Sequence, residues 1–376
     1  MQSNQRTRHW RLLDMQSNEI TAGVVCPLLR LKLHTGVKPK DFRIEIGVKK
    51  TMKTIVKNGM LCTESGVYEA DILIENGVIR EIGTGLAEHE SKLGSADAEI
   101  EIVDASGKYV LPGAVDIHTH MDLDVGIARV IDDFYTGTIA AACGGTTSIV
   151  DHMAFGPKDC SLWHQVREYH KLADGNAVVD YGFHGVFQHV NPQVLEEMGE
   201  IAKKEGITSF KVYMTYGYGL NDKELMQILT QAKKDGILIA SHCENDGMVN
   251  YYREKFVKEG HTQPRYQPLS RPAETEAEAV NRFLYLAESA GEAPVYVVHL
   301  SSKQGLMEVR RARRRGQKHF GVETCPQYLF LTDDRYADDQ EGLKAIMAPP
   351  LRKKEDNAAL WQALEDGELD AVATDH

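Results

Sequence analysis

LPGAVDIHTHMD, residues 111–122, opens the part of the chain with the clearest architectural signal. Pro112 and Gly113 bend the chain into a short apolar run. Side chains on a strand alternate between faces, so Asp116, His118 and His120 share one face while Ile117 and Thr119 take the other. Two imidazoles two residues apart can grip one metal ion from the same side. Outward from this stretch, short apolar runs alternate with helical text. Strands are expected in YVLPGAVDIH (109–118), TTSIVDHM (146–153), VVDYGFHGVF (178–187), ITSFKVYM (207–214), GILIASH (236–242), VYVVHL (295–300), HFGVET (319–324) and LDAVATD (369–375). Helices are expected between them, for example over Asp133–Cys143, Asp222–Lys234, Ala273–Ala290 and Lys354–Leu364. β and α segments in alternation mark an α/β fold with a parallel sheet. Eight such strands match a TIM-type (β/α)₈ barrel, whose chemistry sits on the C-terminal rim of its strands. His118, His120, Lys211, His242, His299 and Asp375 stand at or near those strand ends.

The text before the barrel reads differently. MKTIVKNGMLCTESGVYEADILIENGVIREIG (52–83) alternates apolar and polar residues between Asn-Gly and Ser-Gly turn signals, the mark of small antiparallel strands. Residues 52–107 are therefore expected to form a small β domain, and 108–376 the catalytic barrel, ending at its eighth strand. Residues 1–51 repeat MQSN at Met1–Asn4 and Met15–Asn18, are mostly basic and show no period. They are expected to be a poorly ordered extension, with Met52 an alternative natural start.

Composition narrows the function. A net charge of −12 over 376 residues offers no basic face to nucleic acid. No apolar stretch approaches the roughly 20 residues that span a bilayer. Cys26, Cys62, Cys143, Cys160, Cys243 and Cys325 are scattered, with no C-x-x-C pair, which suits reduced thiols in a cytoplasm. Cys143–Ser148, CGGTTS, lacks the P-loop lysine and precedes a strand, so it is a helix stop and not a phosphate loop.

The strand-end residues suit two divalent cations held side by side. Lys211 lies between Phe210 and Val212 on an apolar strand. Burial favours its neutral amine, which can take up carbon dioxide as a carbamate able to bridge two cations. His242 and His299 each close an apolar strand, and imidazole with carboxylate suits Zn²⁺, with Mn²⁺, Co²⁺ and Fe²⁺ left open by ligand type. Asp375 ends LDAVATD, where a carboxylate is costly unless paired or metal-bound. His152 and His184 are given supporting or packing roles.

LPGAVDIHTH, CGGTTSIVDH, SFKVYMTY, VHLSS, ETCPQYL, MAPPLR and AVATDH together resemble the cyclic amidohydrolases of the amidohydrolase superfamily. Within them the hydantoinase and dihydropyrimidinase group is most similar, and VGIARVIDDFYTGTIAAACGGTT (125–147) strengthens the match to its bacterial D-phenylhydantoinase branch. The resemblance implies His118, His120 and Asp375 on one metal, His242 and His299 on the other, and Lys211 as a bridging N6-carboxylysine. It implies that Tyr216 hydrogen-bonds the substrate carbonyl and that Ala348 contributes a backbone contact. It also sets Val125, Tyr213 and Leu220 near the ring substituent. The implied reaction is attack of a bridging hydroxide on a cyclic amide, with Asp375 shuttling the proton, to give an N-carbamoyl amino acid. Dihydrouracil ring opening is the near alternative, and a non-catalytic scaffold or inactive remnant the distant ones. Met121 and Asp122 after the H-x-H pair offer no cation for a carboxylated dihydroorotate. Relatives of this group continue past TDH and form homotetramers. The resemblance makes 52–107 the N-terminal part of a small β-sandwich domain, so barrel and small domain are expected to be C-terminally truncated here, and the isolated chain to fold poorly or aggregate.

Overall fold

The computed structural model describes residues 52–93 and 99–376, and the extension read over 1–51 lies outside the described residues. Contacts divide the described chain into a small unit, 52–114 with 142–145, and a large unit, 115–141 with 146–376.

The small unit holds a five-stranded mixed sheet. β1 (Met52–Thr63), β2 (Gly66–Glu75) and β3 (Val78–Gly83) form the antiparallel meander that the turn signals predict. Asn76 and Gly77 supply the positive φ, 51° and 79°, that a tight hairpin turn requires. After helix α1 (Leu86–Leu93), β4 (Glu99–Asp104) and β5 (Tyr109–Val110) pair with β1 in parallel. These two strands lie beyond the 52–83 stretch that reads as antiparallel. A return connection sets their direction, and local alternation carries no trace of it. Among the described residues the unit has this one mixed sheet. Ile55, Leu73 and Leu86 pack on one side of it, and Leu61, Ala70 and Ile72 form a second cluster.

The large unit bears out the expected barrel. Its strands are β6 (Ala114–Thr119), β7 (Thr146–His152), β8 (Asp180–Val186), β9 (Ser209–Tyr213), β10 (Leu238–His242), β11 (Val295–Val297), β12 (Phe320–Thr324) and β13 (Ala371–Val372). They lie side by side in chain order in one eight-stranded sheet. The ends meet: Asp375 N–H donates to the His118 carbonyl at 2.9 Å, and His120 N–H donates to the His376 carbonyl at 2.8 Å. Helices α2 (Phe134–Gly144), α3 (Leu162–Ala173), α4 (Pro192–Glu205), α5 (Asp222–Asp235), α6 (Asp246–Lys258), α7 (Gln267–Ser270), α8 (Ala273–Ser289), α9 (Lys303–Arg314), α10 (Pro326–Phe330) and α11 (Lys354–Glu365) alternate with the strands.

Local chemistry explains the helix ends. α5 starts at Asn221 with a capping box to Glu224 and stops at Gly236, φ 70°. α4 starts at Asn191 with Pro192 in its first turn and stops at Gly206, φ 72°. Apolar faces of these helices pack on the outer faces of the strands, where Phe183, Phe187, Phe210, Ile228, Val280 and Leu306 belong to one buried core. The inner faces of the strands are left for polar side chains. Among the described residues no helix is long and apolar enough to cross a membrane.

Candidate metal centre

Two strand ends bring the first donor set together. His118 lies in β6 and His120 directly after it, while Asp375 follows β13. His118 Nε2 lies 3.0 Å from Asp375 Oδ1, His120 Nε2 lies 3.2 Å from the same oxygen, and the two imidazole nitrogens lie 3.3 Å apart. Ligand atoms about 2.0–2.1 Å from a tetrahedral ion sit about 3.3–3.4 Å from each other. The measured triangle therefore has the dimensions of one face of such a site. Lys211 Nζ lies 3.3 Å from His118 Nε2 and is buried, although Lys211 sits in the middle of β9 and not at its end.

His242 closes β10, and His299 stands two residues past β11. Their rings are 4.6 Å apart, and the His299 ring is 5.6 Å from that of His118, so all three share one cluster. His242 Nε2 is hydrogen-bonded to Glu244 Oε2 at 2.7 Å, which leaves Nδ1 as its free ring position for a cation. His299 and Asp375 carry φ of 40° and 55°, and Tyr216 carries 74°. Non-glycine residues in this region are strained, and such strain concentrates at functional sites.

The electrostatics favour positive charge between these groups. Burial pushes the His118 imidazolium down, yet Asp375 and Glu323 outweigh it and hold the group up at about 9. Burial alone would raise the Asp375 carboxyl, but His118 and His120 hold it well below the usual carboxylate range. Burial drives His242 and His299 well below the ordinary histidine value and lowers His120, leaving neutral imidazoles of the kind that ligate metals. Burial also lowers the Lys211 ammonium to about 8. The ring nitrogens of His152 and Nδ1 of His120 are buried without a hydrogen-bond partner. A buried polar atom is costly when left so. Converging carboxylates, neutral imidazoles and orphaned nitrogens fit a site for divalent cations.

This C-terminal-rim cluster sits inside a segment that the Amidohydrolase family model matches from residue 109 to 376. The chain belongs to the amidohydrolase family. A D-phenylhydantoinase of Escherichia coli O1:K1 is 49% identical over 325 residues, 86% of this chain and 68% of the relative. The crystal structure of dihydropyrimidinase from Brevibacillus agri NCHU1002 superposes with a TM-score of 0.80 at 40% identity, over 86% of this chain and 68% of that one. D-Hydantoinase (dihydropyrimidinase) from Thermus sp. gives 0.79 at 35% identity, over 86% and 69%. The hydantoinase and dihydropyrimidinase resemblance carried by the motifs is borne out.

Other candidate residues of this amidohydrolase fall in different places. The Tyr216 ring lies 5.1 Å from His242, and the buried Tyr213 lies 6.0 Å from His242, with Lys211 Nζ 5.4 Å from its ring centre. Leu220 is packed in the core, its N–H on the Tyr213 carbonyl at 2.9 Å. Val125 is exposed in the loop after β6, and Ala348 precedes Pro349 across a cis peptide. Among the described residues no hydrogen bond, ion pair or ring contact ties Val125, Leu220 or Ala348 to the donor cluster.

Four residues emerge that the sequence did not single out for these roles. Glu323 is hydrogen-bonded to His118 Nδ1 and fixes that ring. Its signal, an acidic residue in an apolar strand, is the one that exposed Asp375. Glu244 does the same for His242, and its i+2 spacing could have shown it. His152 joins His118 and His120 in a group whose ligand atoms lie within 4.8 Å of one another. Arg271 pairs with Glu244 across 27 positions, a partnership with no local pattern.

Proposed function

We propose that this protein opens the ring of hydantoins by hydrolysis of the cyclic amide, giving N-carbamoyl amino acids, with 5-substituted, phenylhydantoin-like rings as its substrates. One observation carries the reading: His118, His120, Asp375 and Lys211 converge within 3.3 Å contacts in a chain 49% identical to a D-phenylhydantoinase. His118, His120 and Asp375 would hold one divalent cation and His242 and His299 the other, with Lys211 joining them as a carbamate. Two such ions, zinc by the chemistry of the donors, supply an acidified water near neutral pH and polarise the carbonyl oxygen when bound.

The rest falls to the chain itself. Asp375, held ionised beside two imidazoles, takes up a proton at a carboxylate oxygen and returns it to the departing ring nitrogen. Tyr216 donates its phenolic hydrogen to the carbonyl oxygen as negative charge builds there. Tyr213, Leu220 and Val125 border the ring substituent, and the backbone at Ala348 holds the ring. Glu323 and Glu244 fix the orientations of His118 and His242. A cytoplasmic location suits the cysteines, all unpaired among the described residues. A homotetramer is the assembly that the family resemblance implies.

Dihydrouracil is the second substrate to weigh, because the Brevibacillus agri relative is named a dihydropyrimidinase. A panel of hydantoin, phenylhydantoin, dihydrouracil, allantoin and dihydroorotate, run on zinc-loaded protein, decides between the two. Phenylhydantoin is expected to give the highest kcat/KM. Turnover of dihydrouracil alone would move the assignment to pyrimidine rings. A protein that holds no stoichiometric metal would be a scaffold.

A further inference from the structure

Asp116 stands two residues before His118 on β6, and three hydrogen-bond donors converge on its carboxylate. Oδ1 accepts from the His118 N–H at 3.2 Å and from the Thr374 N–H at 3.1 Å, and Oδ2 accepts from the Thr374 hydroxyl at 2.5 Å. Asp116 and Thr374 are 258 positions apart in the chain. Asp116 is 8% exposed, while Thr374 lies exposed at the outer end of the contact. The seam that these bonds cross needs a tie. β13 stops at Val372 and takes its ladder from β12, where Glu323 pairs with Ala371 and Thr324 with Val372. Among the described residues no ladder joins β13 to β6, which stand at opposite ends of the sheet order. Asp375 has a φ of 55°, outside the strand region, so the segment before it sets where its carboxylate points.

We propose that Asp116 is a positioning residue for the first cation's donors: by holding Thr374 against the backbone of His118 it fixes the Asp375 carboxylate beside the two imidazoles. This rests on the two-cation reading above. Asp375 Oδ1 completes the triangle with His118 Nε2 and His120 Nε2 at 3.0 and 3.2 Å. Such a constellation works when its members are held within about 0.5 Å of the productive geometry by the residues around them. A carboxylate suits the task because it only accepts, with about four lone-pair sites to offer the three donors. Its charge also strengthens each of those bonds. Asparagine would keep one accepting oxygen and set an NH₂ group, itself a donor, in place of the other.

The test is zinc binding to the metal-free full chain, read by competition with a chromophoric chelator, in Asp116→Asn, Thr374→Val and Thr374→Ser. Thr374→Val keeps the backbone N–H and the side-chain shape and removes only the hydroxyl. Loss of a group that orients metal ligands lowers metal affinity about 10- to 100-fold. Asp116→Asn is expected to weaken one of the two ions by that factor, and Thr374→Val to weaken the same ion about tenfold, while the other ion binds as in the unsubstituted protein. Thr374→Ser restores the hydroxyl and is expected to bind both ions normally. A tie that serves the fold alone would weaken both ions together, and that result overturns the inference. Unchanged affinities in Asp116→Asn or Thr374→Val, or a Thr374→Ser as weak as Thr374→Val, overturn it as well. All of these results leave the two-cation reading standing, whereas an unsubstituted protein that binds no zinc sinks that reading and this inference with it. If Asp116→Asn does not fold, Thr374→Val and Thr374→Ser carry the test on the same criteria.

Discussion

Asp375 is the residue to which the proposed mechanism gives proton transfer. Its Oδ1 contacts both imidazoles of the H-x-H pair, and its backbone N–H helps close the barrel. Asparagine keeps the shape and the oxygen ligand but loses the negative charge and the capacity to take a proton. Asp375→Asn is therefore expected to lower kcat about 10²- to 10⁴-fold while part of the zinc remains, measured as turnover beside metal content. Near-normal turnover would remove Asp375 from proton transfer. At this scale much was legible in the sequence. His118, His120, Lys211, His242, His299 and Asp375 each follow or interrupt an apolar run, and the structure gathers all six. Their supporting partners were not legible. Glu323 reaches His118 across 205 positions, and only the closed barrel makes them neighbours.

Among the elements, β9 matters most to Lys211, because it carries that side chain inward and Phe210 outward into the core. Gly185 of β8 pairs with Phe210 across the sheet. A Cβ at Gly185 would fall 2.2 Å from the Phe210 ring, a clash that must move the ring or the strand. Gly185→Ala is expected to cost about 1–3 kcal/mol in denaturant unfolding, as overpacking does. It should also loosen zinc by disturbing the backbone beside Lys211. Gly182→Ala is the control, since its Cβ would meet only Val150 at an ordinary 3.9 Å. Equal stability losses in the two variants would show that the tight Gly185–Phe210 approach is not what sets this packing. The alternation of apolar runs made the eight barrel strands readable before any coordinates. It overestimated β11 and β13, which span only Val295–Val297 and Ala371–Val372. The chain leaves the ladder there to set His299 and Asp375 at positive φ, so residues that read as strand text serve the site. The parallel partners of β1 were illegible for a different reason. Pairing direction depends on the path between strands, and period-2 alternation is the same for either direction.

Across the large unit, the donor cluster sits on polar inner faces while the apolar core lies between strands and helices. The core therefore does not need the cations to form, but the cluster gains from them. A ligand that binds only the folded state adds about 2.7 kcal/mol per site at a hundredfold excess over its Kd. Chelation is thus expected to leave far-UV circular dichroism nearly intact and to lower the unfolding midpoint. Recovery tests the lysine as well as the metals. Carbon dioxide adds only to the neutral amine, and burial brings the Lys211 ammonium from 10.5 down to about 8. The neutral fraction thus rises as pH climbs through that value and falls below it. At fixed dissolved carbon dioxide, zinc reloading of chelated protein should be faster above about pH 8 than near pH 6, and slow without carbon dioxide at either pH. Lys211→Met should reload poorly under every condition. A chelated protein whose midpoint does not move would mean that the six side chains hold no structural cations. Reloading indifferent to both carbon dioxide and pH would leave the metals in place but take the carbamate away from Lys211.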